Sequence, residues 1–306
     1  MNQPQANTNP PSIGVLGCGY VGQQLLNLQP LNLQPLNQQP WHQSSWYSIH
    51  NNDPKLPYNS VPFSLDNPDS WHLLPHQADW LVLTIPPAYQ DREKESQRLT
   101  NWCQWMALNR PALKRLIYIS TIGVYAEQGG VWTEQSRCEP SLLRGHLRLD
   151  SETILQHYFQ STAIRCGGIY GQGRNIVEKL MAGEAVFRGN KPLYRIHVDD
   201  LTGLIISLIN QGEHIPSLNA VDDQAASQDE IIDWLRQQPG FNQQAPTTLT
   251  FQNKRLDVSE EKQPTEQRIV SNQRLLSTLG YRLKYPTYQT GLAFSNPTAA
   301  TRIDLT

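Results

Sequence analysis

Ile13-Gly14-Val15-Leu16-Gly17-Cys18-Gly19-Tyr20-Val21-Gly22 decides the fold of this chain, because a short apolar run leads into glycines spaced Gly-x-Gly-x-x-Gly and then into the helix-compatible Gln23-Gln24-Leu25-Leu26. An apolar run of this length reads as a buried strand, and the spacing that follows suits a diphosphate. Gly17 permits a tight turn and Gly19 lets the backbone approach the phosphates. Gly22 lets the helix lie close to the strand with its first amides aimed at the anion. Gly17, Gly19, Tyr20, Val21 and Gly22 are therefore expected to hold the diphosphate of a dinucleotide.

Composition narrows the partners. Over 306 residues the net charge is only -2, which gives no electrostatic reason to expect nucleic acid or an anionic membrane surface. Cys18, Cys103, Cys138 and Cys166 are too scattered for a zinc site or a disulfide framework, and suit a reducing cytoplasm. The histidines include no His-Glu-x-x-His or His-x-His pattern, so no metal is expected. Residues 1–11 are polar, rich in Asn, Gln and Pro, and read as a disordered tail without a targeting segment. No apolar run approaches the roughly 18 residues of a membrane span.

Strand-like runs at 13–16, 46–49, 80–85, 116–120 and 163–166 alternate with helical stretches at 90–108 and 142–158, whose lengths suit the crossovers of a parallel sheet. The pattern predicts an α/β chain: a Rossmann-type, doubly wound parallel sheet over residues 12–170 that binds NAD(P). Residues 171–306 are a more mixed segment, with helices at 175–181, 199–209 and 228–237, expected to complete the sheet and form a smaller C-terminal substrate lobe. A five-residue tandem repeat at 26–40 interrupts the pattern. Its prolines Pro30, Pro35 and Pro40 deny a continuous helix, so the first helix should end near Gln29 and the repeat reads as a solvated insertion.

The cofactor is read from two places. An acidic residue about 20 positions beyond the glycines favours NAD by binding the adenine ribose hydroxyls. Here the second predicted strand ends Ser48-Ile49-His50-Asn51-Asn52-Asp53, with no carboxylate at its tip. Asp53 comes late, while His50, Asn51, Asn52 and Lys55 tolerate a 2′-phosphate, so NADP is favoured over NAD and Asn51 is a cofactor-binding candidate. Ile85 and Pro86, in Thr84-Ile85-Pro86-Pro87, follow the next predicted strand at the edge where a cofactor ribose would pass.

Four stretches together resemble the extended and atypical short-chain dehydrogenase/reductases, in particular the NAD-dependent epimerase/dehydratase-like group. They are Gly17-Cys18-Gly19-Tyr20-Val21-Gly22, Tyr118-Ile119-Ser120-Thr121-Ile122-Gly123-Val124-Tyr125, Ile164-Arg165-Cys166-Gly167-Gly168-Ile169-Tyr170-Gly171 and Arg195-Ile196-His197-Val198-Asp199-Asp200. The resemblance implies that Thr121 carries the catalytic hydroxyl, with Ser120 beside it at the cofactor. It implies that Tyr125 faces the substrate, that the stretch from Arg165 to Gly171 borders the nicotinamide, and that Asp199 caps a helix. Glu134 falls where relatives often place a residue near the substrate mouth. Relatives often pair through two helices on the sheet flank, so the resemblance allows a homodimer.

One departure matters for chemistry. The reductive members of that family use Tyr-x-x-x-Lys, which puts a phenol and an ammonium one turn apart on one helix face. No tyrosine here has a lysine four positions later. In Ser141-Leu142-Leu143-Arg144-Gly145-His146-Leu147-Arg148-Leu149-Asp150-Ser151-Glu152, Arg148 takes the lysine position and Arg144 the tyrosine position. Arg148 can still meet a ribose hydroxyl. Arg144 cannot act as an acid, because its pKa lies above about 12. Together the two arginines are candidates to clamp a carboxylate or phosphate. Proton transfer would fall to Tyr125, His146, Tyr170 or Thr121 through a water.

Two functions follow. One is an NAD(P)-dependent oxidoreductase or epimerase, transferring hydride with a small polar or sugar-nucleotide-like substrate without the usual pair. The other is a non-catalytic dinucleotide-binding redox sensor or regulator.

Overall fold

A computed structural model describes residues 13–27, 61–74, 78–113, 115–187, 189–238, 240–241, 251–252 and 267–292. The tail at 1–11, the predicted strand at 46–49 and the repeat beyond Asn27 lie outside the described residues. The chain divides into two compact units. The first comprises Met1–Glu127, Glu134–Arg165 and Thr202–Asn219, and the second Gln128–Thr133, Cys166–Leu201 and Ala220–Thr306.

In chain order the elements are β1 (Ile13–Leu16), α1 (Tyr20–Asn27), α2 (Pro68–Trp71), β2 (Trp80–Leu83), α3 (Arg92–Asn109), β3 (Arg115–Thr121), β4 (Gly130–Trp132), α4 (Leu143–Tyr158), β5 (Gln160–Cys166), β6 (Gly168–Tyr170), α5 (Ile176–Met181), β7 (Val186–Phe187), β8 (Arg195–His197), α6 (Val198–Gln211), β9 (Ser217–Ala220), α7 (Gln228–Arg236), β10 (Phe251–Gln252), β11 (Arg268–Val270), α8 (Gln273–Leu279) and α9 (Tyr288–Gly291). The expected sheet is present, in the order β1-β2-β3-β5-β9. It is mostly parallel: Leu16 lies beside Leu83, and Leu83 beside Tyr118. Its first two strands are buried at every position, as strands covered on both faces should be. The late stretch at 217–220 thus completes the sheet.

Helix α3 covers this sheet because Leu99, Trp102, Cys103 and Met106 recur at helical spacing and pack with Leu81, Leu83, Leu116 and Tyr118. Asp91 starts the helix, its carboxylate accepting the amides of Glu93 at 2.9 Å and Lys94 at 3.1 Å. Pro111 stands just beyond the end.

The second unit has its own core, in which Tyr170, Leu180, Ile231, Ile232, Leu235 and Tyr288 pack together. Strands β6 and β8 pair in parallel there, as do β4 and β11. A capping box opens α7, with Ser227 and Glu230 exchanging hydrogen bonds. Asp199 lies in the first turn of α6, at the expected helix N-terminus. The amide of Asp199 donates to His197 Nδ1 at 3.2 Å, so the imidazole accepts at the start of α6. The fully buried carboxylate of Asp200 is the anchor, accepting the amides of Lys284 at 2.7 Å and Tyr285 at 2.9 Å. Burial lowers the His197 pKa from its ordinary value. Among the described residues no helix is long and apolar enough to cross a membrane.

Candidate dinucleotide site

The site begins where β1 and β2 end. Gly17 has a φ of 104°, and a Cβ there would stand 2.5 Å from the Thr84 hydroxyl. That hydroxyl donates to the Gly17 carbonyl at 2.6 Å. A Cβ on Gly22 would fall on the same carbonyl oxygen, so this one group is held between the Thr84 side chain and the Cα of α1's Gly22. Gly19 is different: among the described residues, nothing beyond its own chain neighbours lies within 4 Å of where its Cβ would be. Among the described residues Gly19 thus leaves its face of the turn open. Beside it α1 opens with Gln23 N–H on the Gly19 carbonyl at 2.9 Å and with no acid in its first turn to repel an anion.

The segment after β2 is held from behind. Glu95, buried in α3, accepts the amides of Ala88 at 3.0 Å and Tyr89 at 3.1 Å, and pairs with Arg98 at 2.7 Å. Ile85 is half-buried and Pro86 exposed, both on the segment so fixed.

At the end of β3 the Thr121 hydroxyl accepts the Gly123 amide at 3.1 Å, opening a single 3-10 turn. Helix α4 can approach this turn because of Gly145, where a Cβ would collide with the Gly123 carbonyl and stand 2.7 Å from the Pro140 side chain. The approach brings Arg148 to the sheet. Its Nη1 donates to the Ile119 carbonyl at 2.7 Å and to the Tyr118 hydroxyl at 3.0 Å, and its guanidinium lies 5.4 Å from the Tyr118 ring centroid. Among the described residues its Nε and Nη2 have no hydrogen-bond partner. Arg144, one turn earlier, is exposed and has none either. His146 is half-buried on the same helix.

Two expected site residues lie in the interior instead. The Ser120 hydroxyl donates to Glu152, and Glu152 is clasped by Arg165 through Nη2 at 2.8 Å and Nε at 3.2 Å. Arg165 also donates from Nη1 to the Tyr125 hydroxyl at 2.9 Å, which in turn donates to Asn219 Oδ1 at 2.8 Å. Tyr125 is 0% exposed, and burial pushes its pKa up to about 12 despite the Arg165 charge. Tyr125 is thus packed in the interior, with its hydroxyl shared between Arg165 and Asn219. Glu134 is likewise structural, accepting the Asn219 amide at 2.9 Å. In the second unit the Tyr170 hydroxyl is buried without a partner among the described residues.

Asn51, with His50, Asn52, Asp53 and Lys55, lies outside the described residues. Among the described residues no group of three or more His, Cys, Asp or Glu is placed to hold a metal. The sequence gives no sign of the bond from the Thr84 hydroxyl to the Gly17 carbonyl, which joins two strand ends far apart in the chain. The Glu152–Arg165 pair is likewise announced by no local spacing.

No protein-family model and no curated protein sequence matches the chain. Solved structures do match. A functionally unknown conserved protein from Silicibacter pomeroyi is 21% identical, with a TM-score of 0.70 over 95% of this chain and 100% of that one. A candidate NAD-dependent epimerase/dehydratase from Methylobacillus flagellatus is 23% identical, with a TM-score of 0.66 over 92% and 96%. The dTDP-glucose 4,6-dehydratase of Streptomyces venezuelae, solved with NAD and TYD bound, is 17% identical, with a TM-score of 0.69 over 92% and 94%. Similarity at this level of identity establishes the fold. The chain has the fold shared by NAD-dependent epimerase/dehydratases and the short-chain dehydrogenase/reductase superfamily.

Proposed function

We propose that the chain binds a nicotinamide dinucleotide at the Gly17 to Gly22 turn and acts as an oxidoreductase or epimerase on a small polar or sugar-nucleotide-like substrate. The observation that carries this reading is the open face at Gly19, bounded by a carbonyl fixed on Thr84 and by the start of α1. Gly17, Gly19, Tyr20, Val21 and Gly22 would hold the diphosphate, with Ile85 and Pro86 beside the ribose. NADP is favoured over NAD, on the absence of a carboxylate at the end of the predicted strand 46–49 and on the polar run from His50 to Lys55. When bound, the cofactor supplies hydride transfer at C4 of its nicotinamide.

The chain's own contribution is charge and placement. Arg148 is fixed through Nη1, so Nε and Nη2 form a rigid pair of donors suited to a ribose diol, a carboxylate or a phosphate. Thr121 presents a hydroxyl at the end of β3, where it accepts the Gly123 amide. Neither arginine exchanges a proton near neutral pH, so the proton reaches the substrate through Thr121 and solvent.

The alternative, a dinucleotide-binding sensor or regulator that transfers no hydride, draws on the committed hydroxyl of Tyr125 and on the arginine at position 144. The two readings separate in one experiment. NADPH and NADH oxidation is followed with a panel of ketoses and nucleotide sugars, using the native protein and the Arg144→Tyr/Arg148→Lys variant. Turnover by the native protein supports the enzyme. Cofactor binding without turnover, with turnover gained by the double variant, supports the sensor.

A further inference from the structure

We infer that Thr84 is a positioning residue for the diphosphate: its hydroxyl fixes the Gly17–Cys18 peptide so that the glycine turn presents its donors to the ligand. The inference rests on the dinucleotide reading above and adds a residue that the Gly-x-Gly-x-x-Gly spacing does not contain. The hydroxyl lies 2.6 Å from the Gly17 carbonyl and 3.2 Å from that of Leu16, so its proton is given to Gly17. The Thr84 amide meanwhile donates to the Leu16 carbonyl at 2.8 Å, which locks the residue into register with β1. The peptide between Gly17 and Cys18 is planar and trans. Fixing its oxygen toward Thr84 therefore fixes the plane of the whole peptide, and with it the entry of the chain into the glycine turn.

Three features converge on that single carbonyl. Thr84 donates to it, the Cα of Gly22 packs on it, and Gly17 stands so close to Thr84 that any side chain would displace the hydroxyl. Val, isosteric with Thr but without the hydroxyl, leaves the carbonyl unpaired and sets a methyl group against it, whereas Ala only removes the donor. Ser keeps the donor and sheds only a methyl group.

Thr84→Val, Thr84→Ala and Thr84→Ser are compared with the native protein by titration with NADPH, NADH and ADP, and by thermal unfolding without ligand. The native protein binds, Val and Ala bind roughly tenfold or more weakly, and Ser returns to within about threefold of native. Melting temperatures of the folded variants stay within a few degrees of native. Native-like affinity in Val or Ala overturns the inference, as does a Ser variant as weak as Val. If Val fails to fold, Ala decides; if both fail to fold, the hydroxyl is structural and the inference falls. A native protein that binds none of the three ligands overturns the dinucleotide reading itself, a result distinct from native binding with an unaffected Val variant.

Discussion

Arg165 and Glu152 form a buried bidentate pair, 2.8 Å at the shortest, with side chains 8% and 2% exposed. Through Ser120, Tyr125 and Asn219 the pair joins β3, α4, β5 and β9. Breaking one partner strands the other charge in the interior. Glu152→Gln is expected to cost about 3–5 kcal/mol, read by chemical denaturation. The double change Glu152→Leu/Arg165→Met should cost less than Glu152→Gln alone, because it leaves no uncompensated charge. A Glu152→Gln cost under about 1 kcal/mol would show that the pair is not the tie described.

Gly19 and Gly22 answer to different forces. Gly22→Ala forces a methyl group onto the Gly17 carbonyl and should lower the melting temperature sharply. Gly19→Ala meets open space, so stability should hold while dinucleotide affinity drops tenfold or more, about 1.4 kcal/mol. Parallel melting curves and titrations test the pair. Equal loss of stability in both would mean that Gly19 serves packing and not ligand approach.

Tyr125→Phe removes a hydroxyl that both accepts and donates in the core. The expected outcome is a loss of about 1–3 kcal/mol of stability. If the protein turns over a substrate, its pH–rate profile should keep its shape in this variant. A profile that loses a limb would return Tyr125 to the role of proton donor.

Asp222 gives a pH signature. Its carboxyl is 1% exposed and its Oδ2 lacks a partner among the described residues, so burial raises its pKa to about 7. An unfolded aspartate titrates near 3.9. The folded state therefore holds the proton over a window in which the unfolded chain has released it. The stability from this group is complete below about pH 4 and is lost as pH rises to about 7. Asp222→Asn should remove that component. Relative to the variant, native stability should fall across the window by an amount on the order of a few kcal/mol, measured by denaturation at several pH values. A pH-independent difference would contradict the buried acid.

The elements that local patterning can specify were legible. The buried run at 13–16 gave β1, the glycines that follow gave the turn, and the helical stretch at 142–158 gave α4 nearly residue for residue. What could not be read depends on partners far apart in the chain. The partner of the Tyr125 hydroxyl, Asn219, lies nearly a hundred residues on. Asp199 and Asp200 are indistinguishable in a list of letters. Only the backbone at Lys284 and Tyr285 selects Asp200 as the anchor. Thr84 is unremarkable in sequence because its effect lies on a neighbouring strand's carbonyl.

Whether the Gly17 to Gly22 turn holds a nicotinamide dinucleotide is decided by titrating the native protein with NADPH and NADH while following nicotinamide fluorescence. Saturable one-to-one binding of at least one of them is expected well below about 1 mM, with NADPH the tighter. Failure of both to bind below about 1 mM would contradict dinucleotide binding, for the enzyme and the sensor alike.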